Sequence, residues 1–251
     1  MIYFIGAGCG APDLITLRGK KLLETADVII YAGSLVNPEL LNFAKSGCEI
    51  HDSAVLTLDD VISIMKKAES ESKLTVRLHT GDPSVYGAIR EQMDRLEKLH
   101  IRYEICPGVS SFCGAAAALK AEYTLPGISQ TVILTRMAGR TAVPEQESIR
   151  SLAAHHATMI IFLSVGMAGK LTEELLAGGY APDTPAAIVY RASWPDEKIC
   201  RCTVGTLEET ALRNQIRKHA LITVGDFLGD DYALSKLYDE HFETEFRKAR
   251  P

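Results

Sequence analysis

From its first residue the chain alternates strand-like and helix-like segments, and this alternation limits the fold more than any other feature. Residues 1–5 are an apolar strand and 16–25 a helix with Thr16 as N-cap. Residues 27–31 are a second strand, and 38–45 a short helix opened by Pro38. A strand at 48–51, a helix at 58–71, a strand at 74–79, a helix at 88–99 and a strand at 102–106 follow. Within 58–71, Val61, Ile62, Met65 and Ala68 recur at helical spacing. Repeated units of this kind form a largely parallel sheet covered on both faces.

An alanine-rich helix at 111–121 closes this half, and Tyr123-Thr124-Leu125-Pro126-Gly127 breaks the pattern. Two α/β domains are expected, 1–122 and 123–251. The second has strands at 130–135, 158–163, 185–190, 198–204 and 220–224, and helices at 145–154, 167–177 and 206–215. No helix separates 185–190 from 198–204, so that pair reads as antiparallel and the second sheet as mixed. The tail from 231 is charged and partly aromatic.

Composition narrows the partners. Apolar residues are 47% of 251, enough for a sizeable core, and the net charge is −5. That balance excludes the basic stripe of a nucleic-acid binder. It leaves room for a local arginine cluster that recognises an anionic small molecule. No apolar run reaches membrane-spanning length, and residues 1–6 read as a first strand without the basic start of a signal peptide. A cytoplasmic protein with no membrane partner is the expectation. Six cysteines contain no Cys-x-x-Cys, so no metal site is expected.

Candidate ligand loops follow the strands, where open α/β sheets bind ligands. Thr80-Gly81-Asp82-Pro83-Ser84-Val85-Tyr86-Gly87 joins a strand to a helix. Gly81 permits close approach to the main chain, Asp82 offers an acceptor, and Pro83 stiffens the turn. A turn capped by Asp82 or Ser84 is the plainer reading of those residues. Gly6, Gly8 and Ala11 formally satisfy G-x-G-x-x-A, but Pro12 and Asp13 interrupt the place where a phosphate-binding helix should open. The second strand also ends in Tyr31-Ala32-Gly33, with no carboxylate for a ribose. In Pro107-Gly108-Val109-Ser110-Ser111 the hydroxyls either reach a ligand or cap the next helix. Arg136 and Arg140, in a glycine-containing loop after a strand, suit carboxylate recognition. Trp194 either stacks on a planar ligand or packs, and packing is favoured. No Ser-His-Asp set, phosphate-binding loop or carboxylate pair is visible.

Taken together, these segments resemble the tetrapyrrole methyltransferases that use S-adenosylmethionine, over essentially the whole chain. Pro12-Asp13-Leu14-Ile15-Thr16, Ala26-Asp27-Val28, Thr80-Gly81-Asp82-Pro83 and Pro107-Gly108-Val109-Ser110-Ser111 carry the family likeness. Gln130–Arg136 with Gly139-Arg140-Thr141, and Ala192–Lys198, point to the branch that methylates carbon 11 of precorrin-4 or cobalt-precorrin-4 in vitamin B12 synthesis. The resemblance implies two α/β domains with an active-site trough between them, and a homodimer. It implies cofactor contacts from Pro12, Thr80, Gly81, Asp82, Val85, Ser110, Ser111, Leu163 and Ala192. Substrate carboxylates need cations, for which Arg136, Arg140, Arg18 and Arg191 are candidates; Arg18 and Arg191 serve equally as surface charges. Asp13 is the one candidate proton acceptor, and S-adenosylhomocysteine would be the coproduct. The competing readings are a sibling methyltransferase acting at another ring carbon, a nicotinamide-dependent oxidoreductase suggested by the glycine turn, and a non-catalytic tetrapyrrole carrier.

Overall fold

The structure, a computed structural model, describes residues 1–250. The chain divides into two compact units, 1–115 with 191–197, and 116–190 with 198–250. The division therefore falls within a helix, ahead of the 122/123 boundary expected from sequence. A seven-residue stretch, 191–197, also returns to the first unit, which strand and helix periodicity gave no means of anticipating.

In the first unit, β1 (Ile2–Gly6), β2 (Val28–Tyr31), β3 (Glu49–Asp52), β4 (Thr75–His79) and β5 (Tyr103–Cys106) form one sheet. Its order is β3-β2-β4-β1-β5 and every pairing is parallel. Alternate residues feed two cores. Ile2, Phe4, Val28 and Ile30 face one side, together with Val61, Ile62, Met65 and Ala68 of α2 (Leu58–Ser70) and Leu96 of α3 (Arg90–Lys98). Ile5, Ile29, Val76 and Leu78 face the other, with Leu23 of α1 (Leu17–Thr25). Helix α2 starts at a capping box in which Thr57 and Asp60 bond each other's backbone N–H. The segment read as a helix at 38–45 is instead a 3-10 helix, Pro38–Phe43. Helix α3 begins at Arg90, not residue 88, because Ala88 has φ 49° and cannot continue a right-handed helix.

Helix α4 (Ser111–Leu119) spans the division. The second unit holds β6 (Val132–Arg136), β7 (Thr158–Phe162), β8 (Pro185–Tyr190), β9 (Lys198–Thr203) and β10 (Ala220–Val224). Their order is β6-β7-β10-β8-β9. Only β6 and β7 run parallel; β10 lies antiparallel between β7 and β8, and β9 pairs antiparallel with β8. One face packs on α5 (Ile149–Ala153), α6 (Ala168–Ala177) and α7 (Leu207–Arg213) through Ile149, Leu171, Leu175 and Leu207. The mixed sheet agrees with the sequence pattern, whereas the helix expected at 145–154 shrinks to α5 behind a Ser148 cap. No helix among the described residues is long and apolar enough to cross a membrane.

His79 ends β4 at 3% exposure, its ring stacked 6.1 Å from Phe4. Burial, joined by the charge of Arg77, pushes its pKa from an ordinary 6.5 down to about 3. The unfolded chain therefore takes up a proton that the folded chain refuses. This contribution to stability is complete above pH 6.5 and is lost as pH falls toward about 3. We expect His79→Gln to lower the pH dependence of unfolding free energy by close to one proton between about pH 4 and 6. An unchanged slope in denaturant titrations would contradict a buried neutral imidazole.

Candidate active site

A parallel sheet delivers all its carboxyl ends to one edge, and β1 sits between β4 and β5. The loops that follow these three strands are therefore neighbours, and their backbones interlock. Ala7 N donates to the His79 carbonyl at 2.7 Å. Gly8 N donates to Gly81 O at 3.3 Å, and Gly81 N returns to Gly8 O at 3.0 Å. A Cβ on Gly6 would overlap the Gly81 carbonyl and the Gly108 Cα, and one on Gly108 would overlap the Gly81 carbonyl and the Gly6 Cα. Only glycine lets the three chains meet here.

Asp82 staples this junction. Oδ2 accepts from Gly108 N at 2.8 Å, while Oδ1 accepts from Ser84 N at 2.8 Å and from the Ser84 hydroxyl. Partial burial pushes this carboxyl up, but the Ser84 hydroxyl, Gly108 N–H and Ser84 N–H together outweigh it and hold the pKa below the ordinary aspartate value. The staple is intact at neutral pH and is lost as pH falls through that lowered pKa.

The first loop is held from two further directions. The buried Asn37 donates from Nδ2 to the Gly10 carbonyl at 2.9 Å. Ala11 N donates to Ser193 Oγ at 3.0 Å, and Ser193 N donates to Glu197 Oε2 at 2.6 Å. Gly10 (φ 155°) lies against the Trp194 ring so closely that a Cβ would overlap it. On that ring sits the Arg191 guanidinium, 3.9 Å from its centroid, with Nη1 2.7 Å from Asp196 Oδ2. Trp194 thus packs, and Arg191 is engaged by its own loop. Asn37, Ser193 and Glu197 escaped the sequence reading. Asn37 read only as the residue before a helix, and contact of 191–197 with the first loop has no local signature.

Of the expected cofactor contacts in the first unit, those of the second and third loops are neighbours. An added Gly81 Cβ would stand 3.3 Å from Ser111 N and 3.4 Å from Ser110 Cα, so residues 80–82 lie beside 110–111. Thr80 Oγ1 is buried without a hydrogen-bond partner. Ser110 and Ala192 are buried; Pro12, Val85 and Ser111 are half-buried. Asp13 lies exposed on the 3-10 turn Pro12–Leu14 that stands where a dinucleotide site needs an α-helix. Arg18 is exposed on α1.

In the second unit, Leu163 leaves β7 at 63% exposure with φ 53°, a conformation disfavoured for leucine. Ser164 Oγ accepts from Met137 N at 2.9 Å, joining the ends of β6 and β7. Arg136 Nη1 donates to the carbonyls of Met137 (3.1 Å) and Thr141 (3.2 Å), and Nη2 to that of Ala142 (2.9 Å). Three of its five N–H donors thus hold its own loop. Arg140, on the same loop, is exposed. Among the described residues no cluster of His, Cys, Asp or Glu is placed to hold a metal.

A parallel sheet with a glycine-locked loop junction at its carboxyl edge is the setting in which open α/β sheets bind ligands. The sequence matches the Tetrapyrrole (Corrin/Porphyrin) Methylases over residues 1–208, and the chain belongs to that family. It is 55% identical over 249 residues to a cobalt-precorrin-4 C(11)-methyltransferase of Methanocaldococcus jannaschii, covering 99% of this chain and 96% of that one. Among solved structures, that of a cobalt precorrin-4 methyltransferase is similar at TM-score 0.89 and 48% identity, covering 91% of this chain and 96% of that one. A uroporphyrin-III C-methyl transferase from Thermus thermophilus, complexed with S-adenyl homocysteine, is similar at TM-score 0.75 and 26% identity, covering 90% and 92%.

The junction makes two substitutions informative. Gly6→Ala should lower stability by roughly 1–3 kcal/mol through overpacking, read by chemical denaturation. Asp82→Ala strips the acceptor from Gly108 N–H, so amide exchange should accelerate at Gly108 and not within β1. Unchanged exchange at Gly108 would show that no staple exists.

Proposed function

We propose that the chain transfers a methyl group from S-adenosylmethionine to carbon 11 of precorrin-4 or cobalt-precorrin-4, in cobalamin biosynthesis. The observation that carries this reading is the full-length 55% identity to a C(11)-methyltransferase, together with the glycine-locked junction. The residues present fit the cofactor. Thr80 Oγ1 is a buried hydroxyl without a partner, next to the Gly81 turn that is hydrogen-bonded to Gly8. When bound, S-adenosylmethionine supplies an electrophilic methyl on a sulfonium centre.

The protein's task is then to align and to exclude water, so no activated side-chain nucleophile is required. Thr80, Gly81, Ser110 and Ser111 offer hydroxyls and backbone groups to the polar parts of the cofactor. Pro12, Val85, Leu163 and Ala192 offer apolar contact. Asp82 serves by fixing the turn that presents Thr80 and Gly81, since its oxygens are occupied by Ser84 and Gly108. Arg140 supplies charge to the substrate's acetate and propionate groups, while Arg136 holds the loop that carries Arg140 and keeps two donors for the same purpose. Arg18 remains a candidate for the same carboxylates, and Asp13 for proton acceptance. A homodimer belongs to the same proposal.

Incubation with methyl-labelled S-adenosylmethionine and each form of precorrin-4, followed by NMR of the product, tests this directly. Label at carbon 11 is expected. Label at another ring carbon would favour a sibling specificity, and no transfer with either form would end the proposal. Arg140→Ala should raise the substrate KM by roughly tenfold, the worth of one charge-assisted hydrogen-bonded contact. It should leave cofactor affinity alone, and equal loss of both would contradict this role.

A further inference from the structure

Arg77 is a buried cation that the chemistry above does not use. It is 6% exposed, on the β4 face that packs against Ile30, Val61 and Leu96. Burial pulls its pKa down to about 10, so it is still charged at neutral pH. Its partners are neutral: Nη1 donates to the Ile30 carbonyl and Nε to Gln92 Oε1, each at 3.1 Å. Among the described residues no carboxylate pairs with it. A charge buried on these terms is costly, and apolar side chains of similar volume would serve the core as well.

Gln92 carries the constraint onward. It is 5% exposed, and its Nε2 donates to the Ala88 carbonyl at 3.1 Å. A guanidinium can only donate, so Arg77 forces Oε1 to face it and Nε2 to face Ala88. The segment so held is strained. Tyr86 (φ 56°) and Ala88 (φ 49°) both lie in the left-handed region without being glycine. Such geometry persists only where the surroundings over-determine it. The N-cap of α3, Ile89, offers no side-chain cap but is buried in the core, and the Gln92 amide adds a side-chain hydrogen bond from the first turn of the helix back to the loop.

We propose that Arg77 and Gln92 form a buried positioning pair. Arg77 sets the direction of the Gln92 amide, and Gln92 holds Ala88, and with it the loop carrying Val85, in the shape the cofactor site requires. This rests on reading residues 80–85 as part of the S-adenosylmethionine site.

Gln92→Glu separates holding the loop from filling the core. It keeps an acceptor for Arg77 and gives it a counter-charge, but sets a carboxylate against the Ala88 carbonyl. We expect a thermal midpoint at or above that of the unmodified protein. We also expect amide exchange across residues 84–89 to quicken at least tenfold, and the calorimetric Kd for S-adenosylhomocysteine to rise about tenfold, as loss of one buried hydrogen bond implies. Wild-type exchange and affinity in this variant would overturn the proposal. Should Gln92→Glu fail to fold, Arg77→Met combined with Gln92→Leu carries the same test, with the same weakened binding expected and wild-type affinity overturning the pair. If the unmodified protein itself does not bind S-adenosylhomocysteine, the cofactor reading falls and the positioning role falls with it. Exchange across 84–89 still reports whether the pair holds the loop.

Discussion

Everything in the first unit depends on three main chains meeting at Gly6, Gly81 and Gly108. Strands β1, β4 and β5 are adjacent and parallel, so their exits would collide if Gly6 or Gly108 carried a side chain, and Gly81 holds a φ of 59° between them. Glycine removes the obstacle, and backbone hydrogen bonds then join the first loop to the second. The Asp82 carboxylate joins the second loop to the third. The loop junction is thus anchored to strand ends and is not made of free loops, which is how a local geometry is held to fractions of an ångström.

The same economy explains what the chemistry lacks. Methyl transfer from a sulfonium needs geometry and a dry setting more than it needs a base or a nucleophile. The polar groups of the junction accordingly act on the protein itself. Asp82 bonds Ser84 and Gly108, and Ser193 bonds Ala11. Thr80 Oγ1 stands apart, buried with no partner of its own. In the loops of the same unit Tyr86, Ala88, Arg191 and Ser193 have positive φ without being glycine.

Much of this was legible in the sequence, for physical reasons. Short apolar runs located the strands, several of which are buried on both faces, and period-3.6 patterns located the long helices, which bury one face. Gly81 stands out because a glycine at a strand exit permits a close approach, whereas Gly108 carries no such mark beside the serines that follow it. Pro12 marks the point where the first loop opens a 3-10 turn and not an α-helix. What stayed hidden depended on distant partners. Nothing local says that Trp194 will lie on Gly10, that Asn37 will reach Gly10, or that 191–197 will join the first unit. Arg77 within a strand looked like any alternating polar residue until its burial and its neutral partners were seen. The left-handed Ala88, which delays α3, carries no sequence mark at all.

The central claim is that this junction is a site for S-adenosylmethionine. Calorimetric titration of the folded protein with S-adenosylhomocysteine tests it most directly. The account predicts saturable binding near one ligand per chain. Absence of binding by correctly folded protein, or a thermal shift with NADH in its place, would contradict it.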